Sequence, residues 1–107
     1  EVENLNGNVG VIYINGMLFF GTQEKITATV NRLIGEGVNK MVFSLRGVSQ
    51  IDHSGAEELQ SILEECRSKG VKISLAGIQP EVETMLDRVG IHYKEYSSAI
   101  SAAKTIR

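Results

Sequence analysis

Lys40-Met41-Val42-Phe43-Ser44-Leu45, then the segment from Arg46 to His53, then Ser54-Gly55-Ala56-Glu57, is the stretch that decides the fold. The first part is a short apolar run of the kind that forms a buried strand. The last part opens a helix: Ala56, Leu59, Ile62, Leu63 and Cys66 fall on one face at helical spacing, while Glu57, Glu58, Glu64, Glu65 and Arg67 lie mainly elsewhere. Gly70 ends it. Ser54 and Glu57 make an S-x-x-E capping box, so the expected cap is Ser54, with Arg46–His53 as a loop. A buried strand, a loop and an amphipathic helix form the repeating unit of α/β proteins. The loop falls where open α/β sheets put their ligand sites.

The same alternation extends outward. Gly10-Val11-Ile12-Tyr13-Ile14 and Met17-Leu18-Phe19-Phe20 are apolar runs separated by Asn15-Gly16, which predicts an antiparallel hairpin turning at Asn15-Gly16. Thr22 is the expected cap of a helix carrying Ile26, Val30, Leu33 and Ile34 and stopped by Gly35 and Gly37. Val71 to Ala76 reads as another strand. Pro80 sits at a first helical position, ahead of the stripe Val82, Met85, Leu86 and Val89 that Gly90 ends. Ile91 to Tyr96 reads as a short strand, and Ser97 or Ser98 as the cap of a terminal helix carrying Ile100, Ala103 and Ile106. Glu36-Gly37-Val38, Lys69-Gly70-Val71 and Val89-Gly90-Ile91 each end a helix and restart a strand. Parallel strands joined by right-handed crossovers account for this most simply.

At 107 residues the chain is long enough for a single domain spanning 1–107 and too short for two ordinary ones. Hydrophobic residues at 42% and charged residues at 22% give a globular composition. The formal charge of −2 argues against nucleic acid as the main partner, because a phosphate backbone calls for a concentrated basic surface. No apolar run approaches the roughly 18 residues of a membrane span. The single cysteine, Cys66, rules out an internal disulfide and a cysteine-based zinc cluster, and suits a reducing compartment. A start at Glu1 fits either processing or excision from a larger protein.

The chemistry concentrates in Asp52-His53-Ser54-Gly55. With Ser54 as cap and no side chain on Gly55, the first amides of the helix are open to an anion, including a phosphate on Ser54 itself. Asp52 opposes that attraction unless turned away or paired, and ordinary capping explains Asp and Ser here equally simply. Asp52, His53 and Ser54 are triad residue types, but chain neighbours rarely converge on one reacting atom, so no catalytic residue is expected. His92 stands apart from His53 and completes no metal signature; no metal site is expected. Cys66 lies on an apolar stripe and reads as a buried thiol. There is no Walker loop and no G-x-G-x-x-G. The acids of the second helix read as a solvated face. In Phe19-Phe20, strand alternation buries one ring and leaves the other to a partner or to a covering helix or loop.

With the Asp52-x-Ser54-Gly55 loop in place, the chain resembles a STAS domain. This fold is shared by bacterial anti-sigma-factor antagonists and the C-terminal tails of SulP sulfate-permease transporters. The resemblance runs from the Val11 strand to the terminal helix. It implies an α/β fold with a mostly parallel sheet and an antiparallel N-terminal strand, in the order strand-strand-helix-strand-helix-strand-helix-strand-helix. Met85-Leu86-Asp87-Arg88-Val89-Gly90 closing the third helix also matches. Gly16-Met17-Leu18-Phe19-Phe20-Gly21, Ser44-Leu45-Arg46-Gly47-Val48 and Gly77-Ile78-Gln79-Pro80 are similar to the transporter branch. One departure separates the chain from free-standing antagonists: Ser44 stands where they usually carry an Asp near the end of the strand.

The resemblance implies a non-catalytic regulatory domain of a sulfate or related anion transporter, cytoplasmic at the inner face of the plasma (bacterial inner) membrane. Its implied partners are the transmembrane domain of the same chain, a second copy in a homodimer and a soluble regulatory protein. Arg46, Phe19 and Phe20 are the residues expected to contact an anion or a partner. No cofactor is implied, with room for weak nucleotide binding at the second helix N-terminus. Ser54 matches the phosphorylated serine of antagonists, with Asp52, His53 and Gly55 as its setting. The alternative is a free-standing antagonist switched by phosphorylation of Ser54.

Overall fold

The structure is a computed structural model that describes residues 2–5, 8–18, 23–91 and 95–96. In chain order its elements are β1 (Val2–Leu5), β2 (Val9–Leu18), α1 (Gln23–Gly35), β3 (Lys40–Ile51), α2 (His53–Ser68), β4 (Lys72–Ala76), α3 (Pro80–Val89) and β5 (Glu95–Tyr96). The strands form one sheet in the order β1-β2-β3-β4-β5. β1 is antiparallel to β2, and the remaining neighbours are parallel. Because each crossover moves one strand along in the same direction, right-handed connections put the three helices on one face. Burial agrees: Ile12, Ile14, Met41, Phe43, Leu45 and Leu75 alternate onto that face and cluster with Leu33, Leu59, Leu63, Val82 and Leu86 from the helices. The α/β class, the mostly parallel sheet and the antiparallel N-terminal strand are as the sequence implied.

The position of the antiparallel turn is not. Asn15 and Gly16 lie inside β2 rather than between two strands, paired with Gly47 and Val48 of β3. The antiparallel partner comes from upstream, Leu5 opposite Val9 and Val2 opposite Ile12. Asn15-Gly16 instead runs through irregular pairing, with register shifts between Tyr13 and Asn15 and between Gly16 and Met17. At each shift β3 carries the extra residue, between Ser44 and Gly47 and between Val48 and Gln50, so the bulges belong to β3. The reason is non-local. β3 is longer than its apolar run and continues through Arg46-Gly47-Val48-Ser49-Gln50 to Ile51, burying Val48 and Ile51. That extension supplies hydrogen-bonding partners for the whole second half of β2. The loop expected from Arg46 to His53 is therefore almost entirely strand.

The helices fall where the periodicity places them. α2 buries Ala56, Leu59, Ile62, Leu63 and Cys66, and α3 starts on Pro80 and buries Val82 and Leu86. Gly90 ends α3 in the left-handed conformation at φ 79°, its N–H returning to Asp87 and Leu86 carbonyls. A side chain there would be strained, which is why a glycine recurs at this junction. Thr22, Phe19, Phe20, His92 and the terminal helix from Ser97 or Ser98 lie outside the described residues. So does most of the Ile91–Tyr96 segment, of which Ile91 is buried and Glu95–Tyr96 forms β5.

Cys66 is fully buried in the core cluster. Burial pushes its thiol up to about 11, with the Glu65 carboxylate adding to the rise and Lys69 and Arg67 opposing it. A raised pKa means that the folded chain holds the proton more tightly than the unfolded one. The thiol's contribution to stability is therefore full below the ordinary value of 9.0 and is lost as pH rises through about 11. Urea midpoints of the wild type should fall relative to Cys66→Ala across that window. Parallel curves would mean that the thiol titrates as freely folded as unfolded.

Candidate functional site

The site forms where β3 passes directly into α2. Ile51, the last strand residue, pairs with Leu18 of β2, which leaves Asp52 as the hinge residue. Asp52 is extended, φ −89° and ψ 173°, and caps α2: its Oδ1 accepts from the Gly55 N–H at 2.6 Å, and its carbonyl from the Ala56 N–H at 2.9 Å. An Asp cap of this kind is worth about 1 kcal/mol against alanine. The expected Ser54–Glu57 capping box does not form. Ser54 lies inside the first turn, and the competition between two good capping residues is decided by where β3 ends. The amide expected to be open for an anion is thus already occupied by an internal carboxylate.

Ser54 is left exposed on the outer face of α2. With Glu57, Glu58 and Ser61 it lines a shallow open depression of about 280 Å³. The spacing i, i+3, i+4, i+7 puts all four on one helical face. Ser61 Oγ donates to the Glu57 carbonyl at 3.2 Å. Glu58 is half-buried, and its Oε2 is enclosed without a hydrogen-bond partner. Glu57 and Glu58 lie just past the first turn of α2, which itself holds no acidic residue, so the face carries two carboxyls and two hydroxyls beyond the reach of the helix dipole. Glu58, which the sequence places on a solvated acidic face, is thus drawn partly inward, and Ser61 carries only the signal that it continues the Ser54 row along the helix.

The other expected site residues disperse. His53 is exposed, and its Nε2 lies 3.4 Å from Glu57 Oε1. No hydrogen bond joins it to Ser54, so no triad assembles. Gly55 is buried beneath the cap. Arg46 is exposed on β3, five residues before its end at Ile51. Its carbonyl accepts from Gln79 Nε2 at 2.8 Å. Ser44 is buried at the last β3 position that pairs with β4, alternating away from the helix-covered face. Among the described residues no group of three His, Cys, Asp or Glu side chains could hold a metal ion. Nor is any helix among them long and apolar enough to cross a membrane.

Comparison with known proteins places this geometry in a family. No curated protein sequence matches the chain. Among solved structures, a sulfate transporter family protein from Wolinella succinogenes is 25% identical with a TM-score of 0.76, covering 90% of this chain and 82% of its own. An anti-sigma factor antagonist from Mycobacterium paratuberculosis is 17% identical at TM-score 0.81, covering 100% and 92%. The Bacillus cell fate determinant SpoIIAA in its phosphorylated form is 19% identical at TM-score 0.75, covering 100% and 98%. The last two identities speak for the fold alone. The model of the STAS domain family matches residues 3–102, nearly the whole length, and the chain belongs to the STAS domain family.

Proposed function

We propose that the chain is a non-catalytic regulatory module of a sulfate-permease-type anion transporter, cytoplasmic, and that it works by docking a protein partner on the outer face of α2. The observation that carries this reading is the Ser54-Glu57-Glu58-Ser61 face. It offers an exposed hydroxyl and two carboxyls on a shallow, open face rather than in an enclosed pocket, and the imidazole of His53 is turned to Glu57. Such a face suits contact better than chemistry. The transporter assignment is supported by the Wolinella succinogenes match at 25% identity and by the Phe19-Phe20-Gly21 and Arg46 stretches. The buried Ser44 supports it too, since free-standing antagonists usually carry an Asp at that place. The membrane part of the same protein or a second copy is then the natural partner, coupled to transport through contacts that differ between two transporter states. A soluble regulatory protein is the third candidate.

The non-catalytic part of this reading is tested against simple esters. Turnover should be negligible and the same in wild type and Ser54→Ala; turnover that depends on Ser54 would overturn it. A free-standing antagonist is the second reading, favoured by the exposure of Ser54 directly after its Asp52 cap. It requires phosphate transfer to Ser54 from a cognate kinase, and labelling that survives Ser54→Ala would exclude it.

A further inference from the structure

We infer that Gln79 is a positioning residue for the site, its side-chain amide standing in for a strand that the sheet lacks. β4 pairs with β3 only from Lys40 opposite Lys72 to Ser44 opposite Ala76. β3 runs on to Ile51 with β2 along one side and, among the described residues, no strand along the other. An unpaired carbonyl on such an edge is a liability that water or a neighbour must satisfy. The Arg46 carbonyl faces the lane that β4 has left, and Gln79 Nε2 donates to it at 2.8 Å. The amide thus continues the ladder for one more rung.

Two further features show that this contact is built in. Gln79 is the N-cap residue of α3, yet its side chain makes no capping bond to that helix; it is committed to β3 instead. The turn also presses on β3 at the same residue. Gly77 has φ +66°, and a Cβ placed on it would lie 3.0 Å from Arg46 Cβ. The β4–α3 turn therefore grips Arg46 at the root of the extension that leads through Ile51 to Asp52 and Ser54. A partner or ligand that shifts the start of α3 would be felt at the α2 N-terminus through this grip. That regulatory consequence rests on α2 being the docking face; the grip itself does not.

Amide hydrogen exchange on the intact chain tests it. Gln79→Glu is isosteric but replaces the donor by a carboxylate that repels the Arg46 carbonyl. Loss of one neutral hydrogen bond should speed exchange in 47–55 by about two- to tenfold, with the β4 amides Ile73–Leu75 unchanged. Gln79→Arg, which keeps a donor within reach, should restore slow exchange. Unchanged exchange over 47–55 in Gln79→Glu, or an equal acceleration in β4, overturns the inference. Since exchange is read without any partner, such a failure leaves the docking reading of α2 standing, and a failure of that reading leaves the grip intact.

Discussion

Leu59→Ala should cost the domain about 2–5 kcal/mol in a denaturant melt, whereas Glu64→Ala should stay within about 0.5 kcal/mol. Both residues sit on α2, so helix propensity and chain position are nearly held constant. Leu59 is 2% exposed and packs in the cluster that joins the helices to Met41, Phe43 and Leu45 of the sheet. Its deletion removes transfer energy and leaves a cavity that a close-packed interior fills only in part. Glu64 is exposed, and removing a solvated carboxylate changes little. The pair therefore reads which face of α2 meets the sheet. Equal losses would mean that the helix is rotated, and with it the face that presents Ser54.

If the chain is a transporter module as proposed, phosphorylation of Ser54 should change its affinity for the transporter's membrane part by about 5- to 150-fold, the usual span of coupling between two sites. A phosphate adds nearly two negative charges on a face that already carries Glu57 and Glu58. The helix N-terminus would ordinarily welcome it. Here the Gly55 amide is held by Asp52 Oδ1, so the phosphate must either displace that carboxylate and remake the cap or stand outward in the solvent. Either outcome alters the charge and shape offered to a partner. Calorimetric titration of the phosphorylated and unphosphorylated domain against the separately prepared membrane part measures the ratio. Equal affinities would remove Ser54 from any switching of a transporter, while the fold would be untouched.

What the sequence made legible followed from how local each determinant is. The stripes of α2 and α3, the start of α3 at Pro80 and the left-handed Gly90 are set by residues within one or two helical turns, and the structure has them where the pattern put them. Asn15-Gly16 has an equally strong local preference, and it lost. Its neighbours Met17 and Leu18 find partners at Gln50 and Ile51, more than thirty residues away in sequence, and no window around Asn15 contains that information. The cap of α2 was misplaced by two residues for the same reason. Asp52 and Ser54 are comparable caps, and the choice falls to Asp52 because β3 pairs as far as Ile51. Glu58 and Ser61 join the site face only once α2 has a fixed rotation on the sheet. Gln79 had no local signature at all, since a glutamine ahead of a proline announces nothing about a carbonyl on another strand.

The natural reading frame upstream of Glu1 tests the transporter assignment most directly. The expected result is a series of apolar segments, each of about 18 residues or more, long enough to span a bilayer and continuous with this domain. A start codon a few residues upstream, with nothing apolar before it, would contradict the assignment and make the chain a free-standing switch.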